Sequence, residues 1–427
     1  MPTTSLDDLP LDACDLSADE VRARFQRARR EGRPAWPWPE VEVGDWRAAL
    51  RQIEGAARHL LADAPGPARI AAPDARAARA LGVAAYTSGM GALLGHWVET
   101  GALAADPAAE RLLRLHLRHG RLRMERLAAE LGRVCDALAS AGARAVVLKG
   151  MHTSREYFPE PATRPVSDVD LLVEPRALAA AEDALRGAGY RPGRAIRRPY
   201  RRDWSPAGRE AAGPRSLSLV HADDPWTLDV HVSLDRDFYG AATAHLDRLR
   251  SQWPARAVEG ASWRVLPPPL LLLLLAVHAS EGLHDLMLVR LVELVRVTRR
   301  DTEAGALRWG EWVDAAEGAG VLRFAYPALA LCEKLAPGSV PAPVRERLAA
   351  AAPEGLRRLV EAREPAASQR LDTLSIRERF VWAATPGERL RRAAHALWPA
   401  PAGRSITRLG ALYGERAWRL LRGGVER

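Results

Sequence analysis

Residues Arg144–Val173 read RAVVLKGMHTSREYFPEPATRPVSDVDLLV. Ala145–Leu148 is a short apolar, valine-containing run of the kind found in buried strands, and it stops at Lys149-Gly150. A short polar segment of helical character follows, then a loop broken by Pro159, Pro161 and Pro165. Ser167-Asp168-Val169-Asp170-Leu171-Leu172-Val173 closes the stretch with a second apolar run that carries two carboxylates. On a strand, residues i and i+2 project from one face, so Asp168 and Asp170 stand side by side. Strand, lysine–glycine turn, helix, loop and strand together indicate an α+β fold.

Two buried carboxylates on one face need a cation to stay ionised together. Mg²⁺ suits them, since it takes oxygen ligands from one or two carboxylates and from substrate phosphates. Alone, Asp-x-Asp is more often the mark of two solvated side chains at a strand end. A third carboxylate changes the reading. In Leu228-Asp229-Val230-His231-Val232, alternation sets Asp229 and His231 on one face and the aliphatic residues on the other. A polar face opposite Asp-x-Asp is what a two-metal site requires, and Asp229 can both ligate a metal and take a proton from an attacking hydroxyl. His231 can orient Asp229, touch substrate or be structural.

Composition sets the background. The chain has 427 residues, 48% hydrophobic and 27% charged, which suits a folded globular protein rather than a disordered one. The N-terminus lacks the basic and apolar blocks of a signal peptide, and the longest apolar run, Leu270–Val277, is short for a membrane span; a cytoplasmic location is expected. Cys14, Cys135 and Cys332 are too dispersed for a disulfide framework or zinc site and are expected as buried free thiols. Only two of the 62 basic residues are lysines, Lys149 and Lys334, and there is no asparagine. Against that arginine bias, a compact ammonium at the end of the first apolar run points to phosphate. The net charge of +9 is concentrated in the tail, where residues 354–427 hold 15 arginines against eight acidic residues. Such a tail can attract nucleic acid or an acidic partner, or be a solvated helical surface.

In chain order, a leader helix is expected over Ala18–Arg30, a helix capped by Asp45, and a less regular helical region over Asp74–Thr100. A long helix begins at Asp106-Pro107 and ends at Gly142, possessing a buried stripe of Leu127, Leu131, Val134 and Leu138 and a weak point at Gly120. Pro175 opens an alanine-rich helix. Tyr190–Pro214 reads as a basic loop, and Ser216–His221 with Trp226–Ser233 as a hairpin turned at residues 222–225. Helices follow from Pro267, over Asp285–Arg300, Trp309–Ala316, Leu322–Leu335 and Ala342–Ala352. An Arg-rich segment, Ser405–Leu421, lies beyond a break at Pro399-Ala400-Pro401.

The series Leu148-Lys149-Gly150, Tyr157, Pro161, Arg164, Ser167-Asp168-Val169-Asp170-Leu171-Leu172-Val173 and Leu228-Asp229-Val230-His231 resembles a family of uncharacterised bacterial nucleotidyltransferases within the DNA polymerase beta superfamily. The likeness spans roughly residues 108–300. It implies a small mixed β-sheet core flanked by extensive N- and C-terminal helices, two Mg²⁺ ions, and transfer of a nucleoside monophosphate from a nucleoside triphosphate, ATP being the expected one, with release of pyrophosphate. It implies Asp168, Asp170 and Asp229 as catalytic and metal-binding residues, and Lys149, Gly150, Arg164 and Ser167 beside the nucleotide. Superfamily members usually carry Gly-Ser after the first strand; Lys149-Gly150 stands there instead. Where the helix after His278 often carries Asp, this chain has Glu293, expected to be structural. The division expected is an N-terminal helical region (1–105), the nucleotidyltransferase core (106–265), a helical domain (266–353) and a basic tail (354–427).

Two other readings remain. A catalytically silent relative would bind a nucleotide or partner as an accessory, although all three aspartates are intact. A nucleic-acid binder would use the tail, where Trp398, Tyr413 and Trp418 lie among arginines.

Overall fold

The computed structural model describes residues 41–193, 201–207, 226–284, 286–366 and 376–397. The expected leader helix, the strand Ser216–His221 with its turn, and the segment Ser405–Leu421 lie outside them.

Helix α1 (Val43–Leu61) buries Trp46, Leu50, Ile53 and Ala57 along one face. Asp45, expected as its cap, sits inside its first turn and pairs with Arg76 at 2.5 Å. The region expected as one irregular helix is two, α2 (Ala75–Thr87) and α3 (Gly91–Glu99). Gly89 separates them at φ +71°, and a Cβ there would lie 2.6 Å from Val289, so the break lets a later helix approach. Two three-residue strands, β1 (Ala68–Ile70) and β2 (Leu103–Ala105), pair in parallel beside these helices. They are too short to show alternation in sequence.

The long helix α4 (Pro107–Ser140) carries the expected stripe, with Leu127, Leu131, Val134 and Leu138 all buried. Each such leucine stabilises by roughly 1.5–3 kcal/mol. Asp106 does not cap it by its side chain; that carboxylate instead accepts from the Ala72 amide at 2.7 Å. The helix is not loosened at Gly120. The glycine is there because a Cβ would meet the Ala162 carbonyl oxygen at 2.8 Å. Gly142, at φ +74°, ends the helix with paired bonds from Ala143 N to Leu138 O and from Gly142 N to Ala139 O.

The helix feeds β3 (Val146–Val147), then α5 (Met151–Glu156), β4 (Asp168–Leu172) and α6 (Leu178–Gly187). The expected basic loop over Tyr190–Pro214 is corrected here: it contains β5 (Tyr190–Pro192) and β6 (Arg201–Pro206). Trp204, fully buried among the core residues of the sheet, is the physical reason for β6. β7 (Thr227–His231) therefore has β6 as its antiparallel partner among the described residues. The short strands β8 (Arg236–Phe238) and β9 (Ala242–Ala244) form a separate hairpin. With β10 (Arg256–Ala257) and β11 (Arg264–Val265), the main sheet has seven strands in the order β10-β11-β3-β4-β7-β6-β5, part parallel and part antiparallel. The fold is α+β with a mixed sheet and flanking helices.

One face of the sheet, through Val169, Leu171, Leu228 and Val230, packs in a common core with the α4 stripe and with Ala181 and Leu185 of α6. The other face adds Leu148 and Leu172 to a second core with α7 (Pro268–Glu281). Leu270–Val277 of α7 are all buried, because α8 (Leu288–Glu303) and α10 (Leu322–Leu335) pack against this helix, with α9 (Trp309–Gly318) between them in sequence. No helix of the described residues is long and apolar enough to cross a membrane.

Candidate active site

Lys149 and Gly150 make the turn from β3 into α5. Gly150 adopts φ +58° and ψ −87°, a backbone region open to glycine and strained for any residue with a Cβ. Three residues on, the Thr153 hydroxyl donates to Glu293 of α8. Glu293 is itself buried and takes a two-pronged bond from Arg164, with Nε to Oε1 at 3.1 Å and Nη2 to Oε2 at 3.0 Å. The third guanidinium nitrogen of Arg164 donates to the Pro165 carbonyl at 2.6 Å. Glu293 thus joins the helix after the glycine turn to the loop before Asp-x-Asp.

The same loop is held from the opposite side. Arg123 of α4, buried at 3% exposure, donates to Val166 O at 2.8 Å and to Ser167 O at 3.4 Å. The Ser167 hydroxyl donates to Asp168 Oδ1 at 3.1 Å. The first aspartate therefore enters β4 from a loop tied to two helices.

Parallel pairing of β4 with β7 puts Asp170 directly opposite Asp229 and Leu172 opposite His231. The expected polar face is present, with Asp168, Asp170, Asp229 and His231 on one side of the sheet. One ligand atom from each of Asp170, Asp229 and His231 lies within 4.8 Å of the others, and all three residues are buried. Asp168 stands opposite Thr227, partly exposed, and its carboxylate is not among those three. His231 does not orient Asp229; its Nε2 meets Asp170 Oδ1 at 3.1 Å. Lys149 Nζ forms a buried ion pair with the other oxygen of Asp170.

The two facing carboxylates titrate in opposite directions. Burial alone would raise Asp170, but the Lys149 ammonium and the His231 hydrogen bond outweigh it and hold Asp170 well below the usual carboxylate range. At Asp229 burial comes first, the Asp168 charge adds to it, Arg201 opposes, and the result is a carboxyl pushed up to about 8. Burial also lowers the His231 imidazole despite its bond to Asp170. His278 of α7 lies within electrostatic reach of the group: burial, then Arg290, Lys149 and Arg236 hold it well below its ordinary value.

The donor set fits a divalent cation. Asp229 is fully buried, and although Arg201 forms an ion pair with its Oδ2, neither oxygen accepts a hydrogen bond among the described residues. A buried carboxylate oxygen with no donor is costly unless a cation is its partner. Two facing carboxylates offer the hard oxygens that Mg²⁺ prefers, and His231 brings one ring nitrogen to the same cluster.

Sequence reasoning missed Arg123, Asp203 and the Glu293–Arg164 pair, and it read Arg201 only as part of a basic loop, solvated or facing an anionic substrate. Arg123 continues the α4 stripe one turn upstream of Leu127, and a basic residue on a buried stripe was the available signal. Arg201 and Asp203 lay in the presumed loop; register puts them opposite His231 and Asp229.

A mixed sheet that presents facing carboxylates beside a lysine–glycine turn is the arrangement that the resemblance to nucleotidyltransferases implied, and the comparison with known families supports that class. The family described as uncharacterised nucleotidyltransferase matches residues 75–337, more than half of the chain, and the chain belongs to it. No curated protein and no solved structure matches.

Proposed function

We propose that the protein transfers a nucleoside monophosphate from a nucleoside triphosphate, ATP first among them, to an unidentified hydroxyl-bearing acceptor, such as a small molecule, a peptide or a protein. The observation that carries this reading is the cross-strand pair Asp170–Asp229, with Asp229 oxygens that accept no hydrogen bond among the described residues. Asp168, Asp170 and Asp229 are the proposed ligands of Mg²⁺, two ions in all. When bound, the cations supply charge neutralisation for the attacking and leaving oxygens of an in-line displacement. The acceptor oxygen bonds to the α-phosphorus, the bond to the bridging oxygen breaks, and pyrophosphate leaves. Asp229 stands directly opposite Asp170 on the carboxylate face, which supports it as the group that takes the acceptor's proton. Lys149 and the backbone at Gly150 lie beside Asp170 and supply positive charge and close approach for phosphate; Ser167 and Arg164 flank the same strand entry. A nucleoside triphosphate is an intracellular substrate, so this reading puts the protein in the cytoplasm.

One observation favours the silent accessory as a second reading. Lys149 and Arg201 already pair with Asp170 and Asp229, so the chain partly neutralises its own carboxylates.

The test incubates the protein with Mg²⁺ and each α-labelled nucleoside triphosphate against panels of hydroxyl-bearing small molecules, peptides and proteins. Label transfer that disappears in folded Asp168→Ala, Asp170→Asn and Asp229→Asn is expected. Transfer that survives in the last two variants overturns the assignment. Metal-dependent nucleotide binding without turnover across the panels selects the accessory.

A further inference from the structure

β6 brings a cation from the expected basic loop to the carboxylate face. Antiparallel register sets Arg201 opposite His231 and Asp203 opposite Asp229, so both side chains join the face that carries Asp168 and Asp170. The guanidinium spans two of these carboxyl groups. Its Nη2 forms an ion pair with Asp229 Oδ2, and its Nε donates to Asp203 Oδ1 at 3.2 Å. Arg201 keeps 31% of its side chain in solvent, whereas Asp229 keeps none. Hence the guanidinium covers the outer side of a carboxylate that is otherwise closed off.

The contact with Asp229 is an ion pair without hydrogen-bond geometry, since neither Asp229 oxygen accepts a bond among the described residues. An arginine settled there for structural reasons would present its fork to the carboxylate and make two aligned bonds, as Arg164 does to Glu293. Among the described residues Arg201 makes its aligned bond to partly exposed Asp203 instead. It is a charge partner of Asp229 that a better ligand can displace.

We propose that Arg201 is a triphosphate-binding residue held in reserve: its guanidinium balances Asp229 until a divalent cation takes that carboxylate, and it then turns to the phosphates of the nucleotide. The inference rests on the nucleotidyl-transfer reading and adds a residue to it. A guanidinium and a divalent cation compete for one carboxylate, so metal and arginine cannot both be satisfied there. A triphosphate arriving with the metal offers the displaced guanidinium a new planar, bidentate anion. Asp203, keeping its bond to Nε, limits how far the side chain moves.

Competition gives a signature of two opposite signs, readable without any acceptor or turnover. Mn²⁺ binding is measured by electron paramagnetic resonance and calorimetry on the full chain, first alone and then with a non-hydrolysable triphosphate. In Arg201→Gln, Mn²⁺ alone is expected to bind about tenfold tighter than in the wild type, while the triphosphate in saturating Mn²⁺ binds about tenfold weaker. Arg201→Lys keeps the competing charge but not the fork, so its Mn²⁺ affinity stays near the wild type and its triphosphate affinity falls. Unfolding midpoints confirm that both variants are folded. A purely structural arginine would weaken both affinities or neither, and either result overturns the proposal. Wild-type protein whose Mn²⁺ binding is absent, or is unchanged in Asp229→Asn, overturns the metal site itself and this proposal with it. Normal Asp229-dependent metal binding with unchanged Arg201→Gln affinities overturns the Arg201 inference alone.

Discussion

Lys149 and Asp170 lie 21 residues apart in sequence and form a buried ion pair at the centre of the carboxylate face, with His231 on the other Asp170 oxygen. The lysine is one of only two in the chain, in a sequence that otherwise uses arginine. The pair leaves Asp170 ionised. Removing one partner strands a charge in the core. Lys149→Met is expected to cost about 3–5 kcal/mol of unfolding free energy. Lys149→Met combined with Asp170→Leu should recover much of that loss, because the two changes remove both charges together. Urea unfolding measures each, and a single-variant cost under about 1 kcal/mol would mean that water reaches the pair.

Gly150 and Gly142 both have positive φ, but for different reasons. Gly142, at +74°, ends α4 in a common helix-terminating conformation, and nothing stands where its Cβ would be. Gly150 combines φ +58° with ψ −87°, far from that basin. Gly142→Ala is expected to cost about 1–2 kcal/mol. Gly150→Ala should cost more, toward ~3 kcal/mol, and should also shift α5 and with it Lys149. Paired thermal melts decide this, and equal losses would show that the Gly150 turn relaxes without strain.

Glu293 reaches the site from α8, 129 residues after Arg164 in the chain. Both groups are deeply buried, and the fork of one meets the fork of the other. Double-mutant cycles over Glu293→Gln and Arg164→Ala are expected to give a coupling energy of about 1–3 kcal/mol. Near-additive losses would show that the two side chains act independently. If the nucleotide reading is right, Glu293→Gln also weakens triphosphate binding with Arg164 still in place.

The parts of this site that were legible in sequence share one property: they are local. Ala145–Leu148 with Lys149-Gly150, and Asp168 with Asp170, are neighbours on a strand or turn, so period-two alternation and a glycine announce them. Asp229 and His231 were legible by the same rule on their own strand. Pairings across the sheet were not. Nothing in Arg201-Arg202-Asp203-Trp204 states which strand it will lie beside, and a run of arginines reads as solvated until Trp204 is seen to be buried. Nor does composition reveal that Lys149 pairs with Asp170, that Arg164 pairs with Glu293, or that His231 serves Asp170 instead of Asp229. Each depends on register or on packing between distant helices. Gly120 shows the converse error. A glycine inside a helix reads as a weak point, yet here it makes room for the Ala162 carbonyl.

His116 carries the last expectation, away from the catalytic face. It lies on α4 against α3, so close that a Cβ on Gly91 would meet its ring at 2.7 Å. Burial first, and the charge of His119 second, push its imidazole down to about 4. An exposed histidine titrates near 6.5. Between those two values the unfolded chain binds a proton that the native protein refuses. Native stability therefore rises with pH across the window and is lost as pH falls from about 6.5 toward about 4. The slope from this one group approaches ~1.4 kcal/mol per pH unit. Carboxylates elsewhere contribute to acid unfolding too, so the informative quantity is the difference from a variant. His116→Gln is expected to be less stable at neutral pH, through imperfect packing against Gly91, but to lose less stability on acidification. Urea midpoints taken at half-unit steps from pH 4 to 7 should converge as pH falls. Parallel curves for the two proteins would show that His116 accepts its proton in the native state, and that the contact between α3 and α4 opens to let it in.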